Sequence, residues 1–321
     1  MSEDVSSDAN GRLALRFGLF TALFSIFVIA VFLAHVDNTL HYKRLAVSFV
    51  EASDGKVRYD HEINSDGSSV KNPNPPGYVW LRSLLGDDYA FEAVDIYLPT
   101  GLNDDNFSVL RAFPRLRSLT LMQGGFPDGA ASEIACCRRL RRLELLLTPV
   151  NDRDIKSLQP LAELEVLRLG STAVTDEGVS NLSVFKHLEF LSLSHIAVTD
   201  RAVSTITMLP LRTLELEGTE ITDDSLPEIS KIKTLRMLHL GDSKISDRVF
   251  DQLSVLPELR YLFLPDTRVT PEGCARVAAW PNLESIQVTA GPIFSDSELA
   301  NLKLQLAGKR VSVMPRPRSK H

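Results

Sequence analysis

The chain has 321 residues, of which 44 % are hydrophobic and 24 % charged, a globular composition with room for one elongated domain and its accessories. Its 35 Lys and Arg stand against 41 Asp and Glu, and a net charge of -6 argues against nucleic acid as a main partner. Three cysteines, Cys136, Cys137 and Cys274, supply neither a disulfide framework nor a metal-ligand spacing.

Residues 1–12 are polar and are expected to be a disordered tail. Within residues 13–35 lies an uncharged run of 18 residues, Phe17 to Ala34, preceded by Arg12 and Arg16. As a helix rising about 1.5 Å per residue it would be about 27 Å long, close to the hydrocarbon thickness of a bilayer. A core helix would need neighbours to cover an apolar surface on all sides, and none is at hand in the sequence. A cleaved signal peptide fits poorly, because Phe32-Leu33-Ala34 puts a large residue where the cleavage site requires a small one. A transmembrane helix through residues 17–34, making a single-pass membrane protein, is the expectation. Arg12 and Arg16 balance Lys43 and Arg44, so the flanking charges leave the orientation open. The N-terminal position of the span, as in a signal anchor, favours an extracytoplasmic repeat domain.

Residues 36–77 read as a juxtamembrane helix to about Ala52, an alternating strand at Lys56 to Ile63, and a linker of turn residues from Asn64 to Gly77. Residues 78–115 are the expected N-terminal cap and irregular first repeat. They hold a short amphipathic helix at Tyr78 to Gly86 and the apolar triplet Ala93/Ile96/Leu98.

From Leu116 one pattern, L-x-x-L-x-L, returns eight times, and the expected repeat region is 116–294. Its starts are Leu116, Leu140, Leu164, Leu188, Leu211, Leu235, Leu259 and Leu283, spaced by 24 residues with a single step of 23. The second and third leucines lie two apart, on one face of a strand. Further on, apolar residues three apart, such as Val179/Leu182/Phe185, mark one face of a helix. Eleven residues after six of the eight starts stands an N-cap residue (Asn151, Thr175, Thr199, Thr222, Ser246, Thr270), followed by Asp152, Asp176, Asp200, Asp223, Asp247 or Pro271. Capping accounts for the aspartates, and no metal is expected. A hydroxyl at Thr148, Thr172, Thr219, Ser243 and Thr267 is placed to satisfy the turn after the strand. Cys137 and Cys274 fall in the apolar columns and are expected to be buried thiols. Residues 295–313 read as a C-terminal cap of one helix and a closing strand, and 314–321 as a disordered basic tail.

These residues resemble leucine-rich repeat proteins, and the Thr-bearing form with a V/I-T-D helix start is similar to the ribonuclease-inhibitor-like or cysteine-containing subclass. With the single span ahead of it, the chain also resembles single-span bacterial membrane-anchored leucine-rich repeat proteins. The resemblance implies an α/β fold: a curved leucine-rich repeat solenoid, parallel sheet inside and helices outside, preceded by one N-terminal transmembrane helix. It also implies protein binding on the concave sheet without catalysis. No F-box-like segment precedes the repeats, so a ubiquitin-ligase role does not carry over.

The expected site follows from strand direction, because positions +2, +4 and +6 of each repeat point away from the core. The candidate protein-binding residues are Val166, Arg168, Phe190, Glu215, Glu217, Met237, His239, Tyr261 and Phe263. Val166, Phe190, Met237, Tyr261 and Phe263 would form an exposed aromatic and methionine stripe of the kind that marks contact surfaces, unless neighbouring strands simply cover one another. No phosphate loop, G-x-S-x-G or H-E-x-x-H is present, and His239 near Glu215 reads as a surface histidine rather than an acid–base pair. No enzyme activity, cofactor or small-molecule substrate is expected. The expected partner is a protein or peptide, and a structural or self-associating envelope component is the alternative.

Overall fold

A computed structural model describes residues 27–28, 41–64, 68–71, 91–100, 107–289, 294–306 and 308–314. Among the described residues no helix is long and apolar enough to cross a membrane. The expected span lies outside them except for Phe27 and Val28, which are helical and exposed. The tail 1–12, most of the linker and of the tail 314–321, and the expected helix at Tyr78–Gly86 also lie outside.

The described strands form one eleven-stranded sheet in chain order. They are β1 (Lys56–Tyr59), β2 (Ala93–Leu98), β3 (Ser118–Met122), β4 (Arg142–Leu146), β5 (Val166–Arg168), β6 (Phe190–Ser192), β7 (Thr213–Glu215), β8 (Met237–His239), β9 (Tyr261–Leu264), β10 (Ser285–Thr289) and β11 (Arg310–Met314). All neighbours from β2 to β11 are parallel, and β1 alone runs antiparallel, against β2. The helices are α1 (residues 41–52), α2 (Ala130–Ile134), α3 (Asp152–Ser157), α4 (Asp176–Ser180), α5 (Asp200–Ile206), α6 (Leu226–Ile229), α7 (Arg248–Gln252), α8 (Pro271–Ala275) and α9 (Asp296–Gln305). Strand and helix therefore alternate as the spacing predicts, with helices of only four to seven residues inside the repeats.

The leucine triplets make the core. Leu140/Leu143/Leu145 and Leu188/Leu191/Leu193 are fully buried, and so are the helix-face residues Val179, Leu182 and Phe250. One unit cannot cover such a face, so each repeat depends on the next. Cys137 and Cys274 are buried as expected, and burial pushes their thiols up to about 11 and about 12, whereas Cys136 is exposed.

The N-cap hydroxyls accept from the first turn of their helices at Thr175, Thr199, Thr222 and Thr270. The aspartates beside them do more than face the helix dipole. Each one accepts both the backbone N–H and the hydroxyl of the N-cap residue in the following repeat. Asp152 takes Thr175 at 2.8 and 2.7 Å, and Asp176 takes Thr199 at 2.8 and 2.6 Å. Asp200 takes Thr222, Asp223 takes Ser246 and Asp247 takes Thr270 in the same way. The threonine hydroxyl thus donates to one repeat and accepts from its own, which sets the register between units. Gly178 and Gly273 leave room for this bracket, since a Cβ on either would collide with the carboxylate of Asp152 or Asp247.

The turn after each strand has a second regularity that the sequence hides. Gln123, Leu147, Ser171, His195, Gly218, Asp242 and Asp266, all at position +7, have φ between 45° and 63°. In this left-handed turn the backbone N–H points to the next strand, as in Leu147 to Gly170 O at 2.9 Å and His195 to Glu217 O at 2.7 Å. One position later the hydroxyls of Thr172, Thr219, Ser243 and Thr267 donate to the carbonyl three residues back, at 2.6 to 3.0 Å. Thr148 has no such partner.

At the N-terminal end the structure differs from the juxtamembrane reading. Ala46, Val47 and Val50 of α1 are buried in the core, and β1 extends the sheet, so residues 41–59 pack onto the solenoid as part of its cap. The physical reason is the open end of β2, whose Ile96 and Leu98 require cover. At the other end α9 buries Leu299, Leu302 and Leu306, and β11 pairs with β10.

Candidate functional site

The open face of the sheet carries the side chains predicted from strand alternation. Arg142, Val166, Phe190, Thr213, Met237 and Tyr261 stand side by side in register across β4 to β9. The neighbouring row is Glu144, Arg168, Ser192, Glu215, His239 and Phe263. Glu217 is in the row beyond, two residues after Glu215.

The stripe is not exposed as expected. Val166, Phe190, Met237, Tyr261 and Phe263 are half-buried, because residues in register on strands about 4.8 Å apart cover one another. More exposed large apolar side chains lie elsewhere, at Leu147 in a strand-end turn, at Val184, Met208 and Val255 near the ends of the helical segments, and at Leu304 of α9.

Two side chains on this face, Arg168 and His239, each stack on an aromatic ring beside a carboxylate. The Arg168 guanidinium stacks over Phe190, 4.5 Å from the ring centroid, and its Nη2 lies 4.0 Å from Glu215 Oε1. Its Nε is buried and has no hydrogen-bond partner among the described residues. The His239 ring packs against Phe263, with centroids 5.4 Å apart, and its Nδ1 is 3.6 Å from Glu217 Oε2. Its Nε2 is likewise buried and unpartnered. Burial draws the His239 pKa below the ordinary histidine value, against the opposing pull of Glu217 and Glu215. Tyr261 turns its hydroxyl to the strand's edge, donating to Glu284 Oε2 at 2.8 Å, and Arg260 donates to the other oxygen at 2.9 Å. That bond raises the Tyr261 pKa and lowers that of Glu284.

The predicted residues therefore divide. Arg168, Phe190 and Glu215 form one connected group, and His239, Glu217 and Phe263 another. Val166, Met237 and Tyr261 supply the half-buried floor.

Sequence reasoning missed a cleft of about 730 Å³ at the N-terminal end of the same face. Lys56 and Arg58 of β1, Asp95 and Tyr97 of β2, and Arg117, Arg141, Arg142 and Glu144 line it, and Val166 joins it to the stripe. Arg58 bonds to Asp95 and to Ser69, Arg142 donates to Glu144 at 3.2 Å, and Arg141 lies 3.3 Å from Glu165. Alternation in Lys56-Val57-Arg58 shows that both cations share a strand face, but only the pairing of β1 with β2 places them over the sheet.

A family profile described as Leucine Rich repeat matches residues 163–183. No curated protein matches the chain. Among solved structures, it is similar to internalin C2 of Listeria monocytogenes, with 23 % identity, a TM-score of 0.49, and coverage of 63 % of this chain and 81 % of that one. An internalin, InlF, of the same organism shares 20 % identity over 64 % of this chain and 69 % of its own, with a TM-score of 0.47. A plant ice-binding protein shares 18 % identity over 69 % and 72 %, with a TM-score of 0.41.

Proposed function

We propose that this leucine-rich repeat protein is a non-catalytic protein-binding module, held at a membrane by residues 17–34, with its repeats outside the cytoplasm and its partner on the open face of the sheet. One observation carries the site: on the open face of the sheet the Arg168 guanidinium lies over Phe190 beside Glu215, and the His239 ring packs on Phe263 beside Glu217. The two side chains belong to strands three apart, or roughly 14 Å. A peptide running across β5 to β8 offers carbonyls to Arg168 and either a donor or an acceptor to His239. Phe190 and Phe263 beside them supply the apolar contact that dominates binding hot spots.

The test is capture of partners by the full-length protein from its own membranes. Phe190→Ala combined with Tyr261→Ala is expected to abolish capture of a heterologous partner, and Arg168→Lys to weaken it, since lysine keeps the charge and loses the planar guanidinium that stacks on Phe190. Capture that survives all three substitutions rules out this face. A structural, self-associating role predicts instead that sedimentation of the detergent-solubilised protein depends on concentration and that no heterologous partner is retained.

Orientation is tested with a single cysteine at Ser319 and a membrane-impermeant thiol reagent in intact cells. Cys136 is exposed, so Cys136→Ser is needed first. Labelling is expected; protection that is lost on lysis would place the repeats in the cytoplasm.

A further inference from the structure

Between Arg111 and Arg142 the chain carries seven arginines against two carboxyls, Asp128 and Glu133, a surplus of five positive charges in a protein whose net charge is -6. The repeat spacing stacks them. Arg117 and Arg141 each stand one residue after the first leucine of their repeat, and the Arg141 N–H donates to Arg117 O at 2.8 Å, which sets the two residues side by side. Arg115 and Arg139 each stand one residue before that leucine, in the turns that lead into β3 and β4, with Arg138 next to Arg139. Like charges placed on neighbouring strands repel one another.

Further along the solenoid the row that begins with Arg117 and Arg141 is neutralised. Arg212 lies 3.0 Å from Glu189, Arg236 3.6 Å from Glu258 and Arg260 2.9 Å from Glu284. Arg141 itself lies 3.3 Å from Glu165 of the next repeat. Among the described residues no carboxylate meets Arg117, nor Arg115, Arg138 or Arg139, and all four are exposed. Arg117 lines the N-terminal cleft of about 730 Å³, and so does Lys56, which is likewise exposed and without a carboxylate among the described residues. Lys56 stands opposite Tyr97 and Tyr97 opposite Thr120, three residues past Arg117. The two cations are therefore roughly 14 Å apart along the backbone, a distance that about four residues of extended chain cover.

We propose that the cleft and the arginine rim beside it bind an acidic stretch of a peptide partner, whose Asp and Glu carboxylates lie between Lys56 and Arg117 and along Arg115, Arg138 and Arg139. Arginine forks match carboxylates through two parallel hydrogen bonds. This rests on the reading of the open sheet as a peptide-binding face, to which Val166 joins the cleft. From β3 to β8 is five strand spacings, roughly 24 Å, so about seven extended residues reach from Arg117 to His239. At that far end Glu217 faces His239, which its depressed pKa leaves neutral near neutral pH. Carboxylates are repelled there and attracted at the cap, which fixes the direction in which the partner lies.

The experiment follows the fluorescence anisotropy of labelled hexaglutamate with the full-length protein in nonionic detergent at low salt. Saturable binding is expected. Arg115→Gln, Arg117→Gln and Arg139→Gln together are expected to weaken it roughly tenfold. Arg153→Gln, Lys156→Gln and Arg201→Gln remove the same charge from exposed helical positions and are expected to change it less than about twofold. Absence of saturable binding, or an equal loss in both triple variants, overturns the proposal. So does tighter binding of hexathymidylate carrying the same label, since the rim would then serve a phosphate backbone. Hexaglutamate has no apolar side chain, so Phe190→Ala with Tyr261→Ala is expected to leave its binding unchanged, and the two readings fail separately. Partner capture that survives this pair rules out the open face, while hexaglutamate binding lost in the arginine variant still upholds the rim. Capture abolished by the pair, with no hexaglutamate binding, keeps the open face and sinks the acidic stretch.

Discussion

At the scale of single residues, the aspartate bracket recurs five times among the described residues, four times on Thr and once on Ser246. Asp176→Ala removes two charge-assisted bonds from Thr199 and is expected to cost about 2 kcal/mol, read as a lowered urea midpoint. By contrast Asp224→Ala, which touches only the exposed Arg248 at 3.7 Å, is expected to stay within about 0.5 kcal/mol. His239 makes stability depend on pH. Its folded pKa is depressed, so the unfolded chain takes up the proton first as pH falls. The penalty is absent above the ordinary value near 6.5, grows through the window between that value and the lowered one, and is complete below it. His239→Gln is expected to flatten that part of the profile, and urea midpoints at about pH 7.5 and 5.5 check it. The N-cap positions were legible because Thr and Asp recur at one offset. Their second role was not, since the acceptor comes from the previous repeat.

At the scale of elements, the cap shows what packing adds. Gly55 joins α1 to β1, and a Cβ there would lie 2.7 Å from Val50 O and 2.8 Å from both Tyr97 O and Leu98 Cδ2. Two of these are backbone atoms and cannot swing aside. Gly55→Ala is therefore expected to loosen α1 and β1 at a cost of about 1–3 kcal/mol. Hydrogen exchange should show lost protection in residues 41–59 and in β2, and unchanged protection in β5 to β9. Strands and helices of the repeats were legible from periods of two and three. The left-handed turn at position +7 was not, because glycine, which ordinarily signals it, occupies only Gly218 of the seven positions. At five of the other six the N–H donates to a carbonyl of the next repeat, and Asp266 N–H donates to Thr289 Oγ1.

At the scale of the whole molecule, stability is a chain of nearest-neighbour contacts. Leu214→Ala in the central β7 is expected to cost about 2–5 kcal/mol and to separate the unfolding of the two halves, seen as non-coincident transitions from a probe at each end. The repeat length, the buried triplets, the N-caps and the closing helix and strand were determined by the sequence alone, because apolar residues two or three apart and a cap residue at a fixed offset mark strand faces, helix faces and helix starts locally. Three features were decided only by tertiary structure. The stripe from Val166 to Phe263 became half-buried when neighbouring strands came about 4.8 Å apart, α1 and β1 became the cap because the open end of β2 needed cover, and the N-terminal cleft arose where the one antiparallel strand joined the sheet. Each depends on what a residue meets from another segment, which spacing along a single chain does not contain.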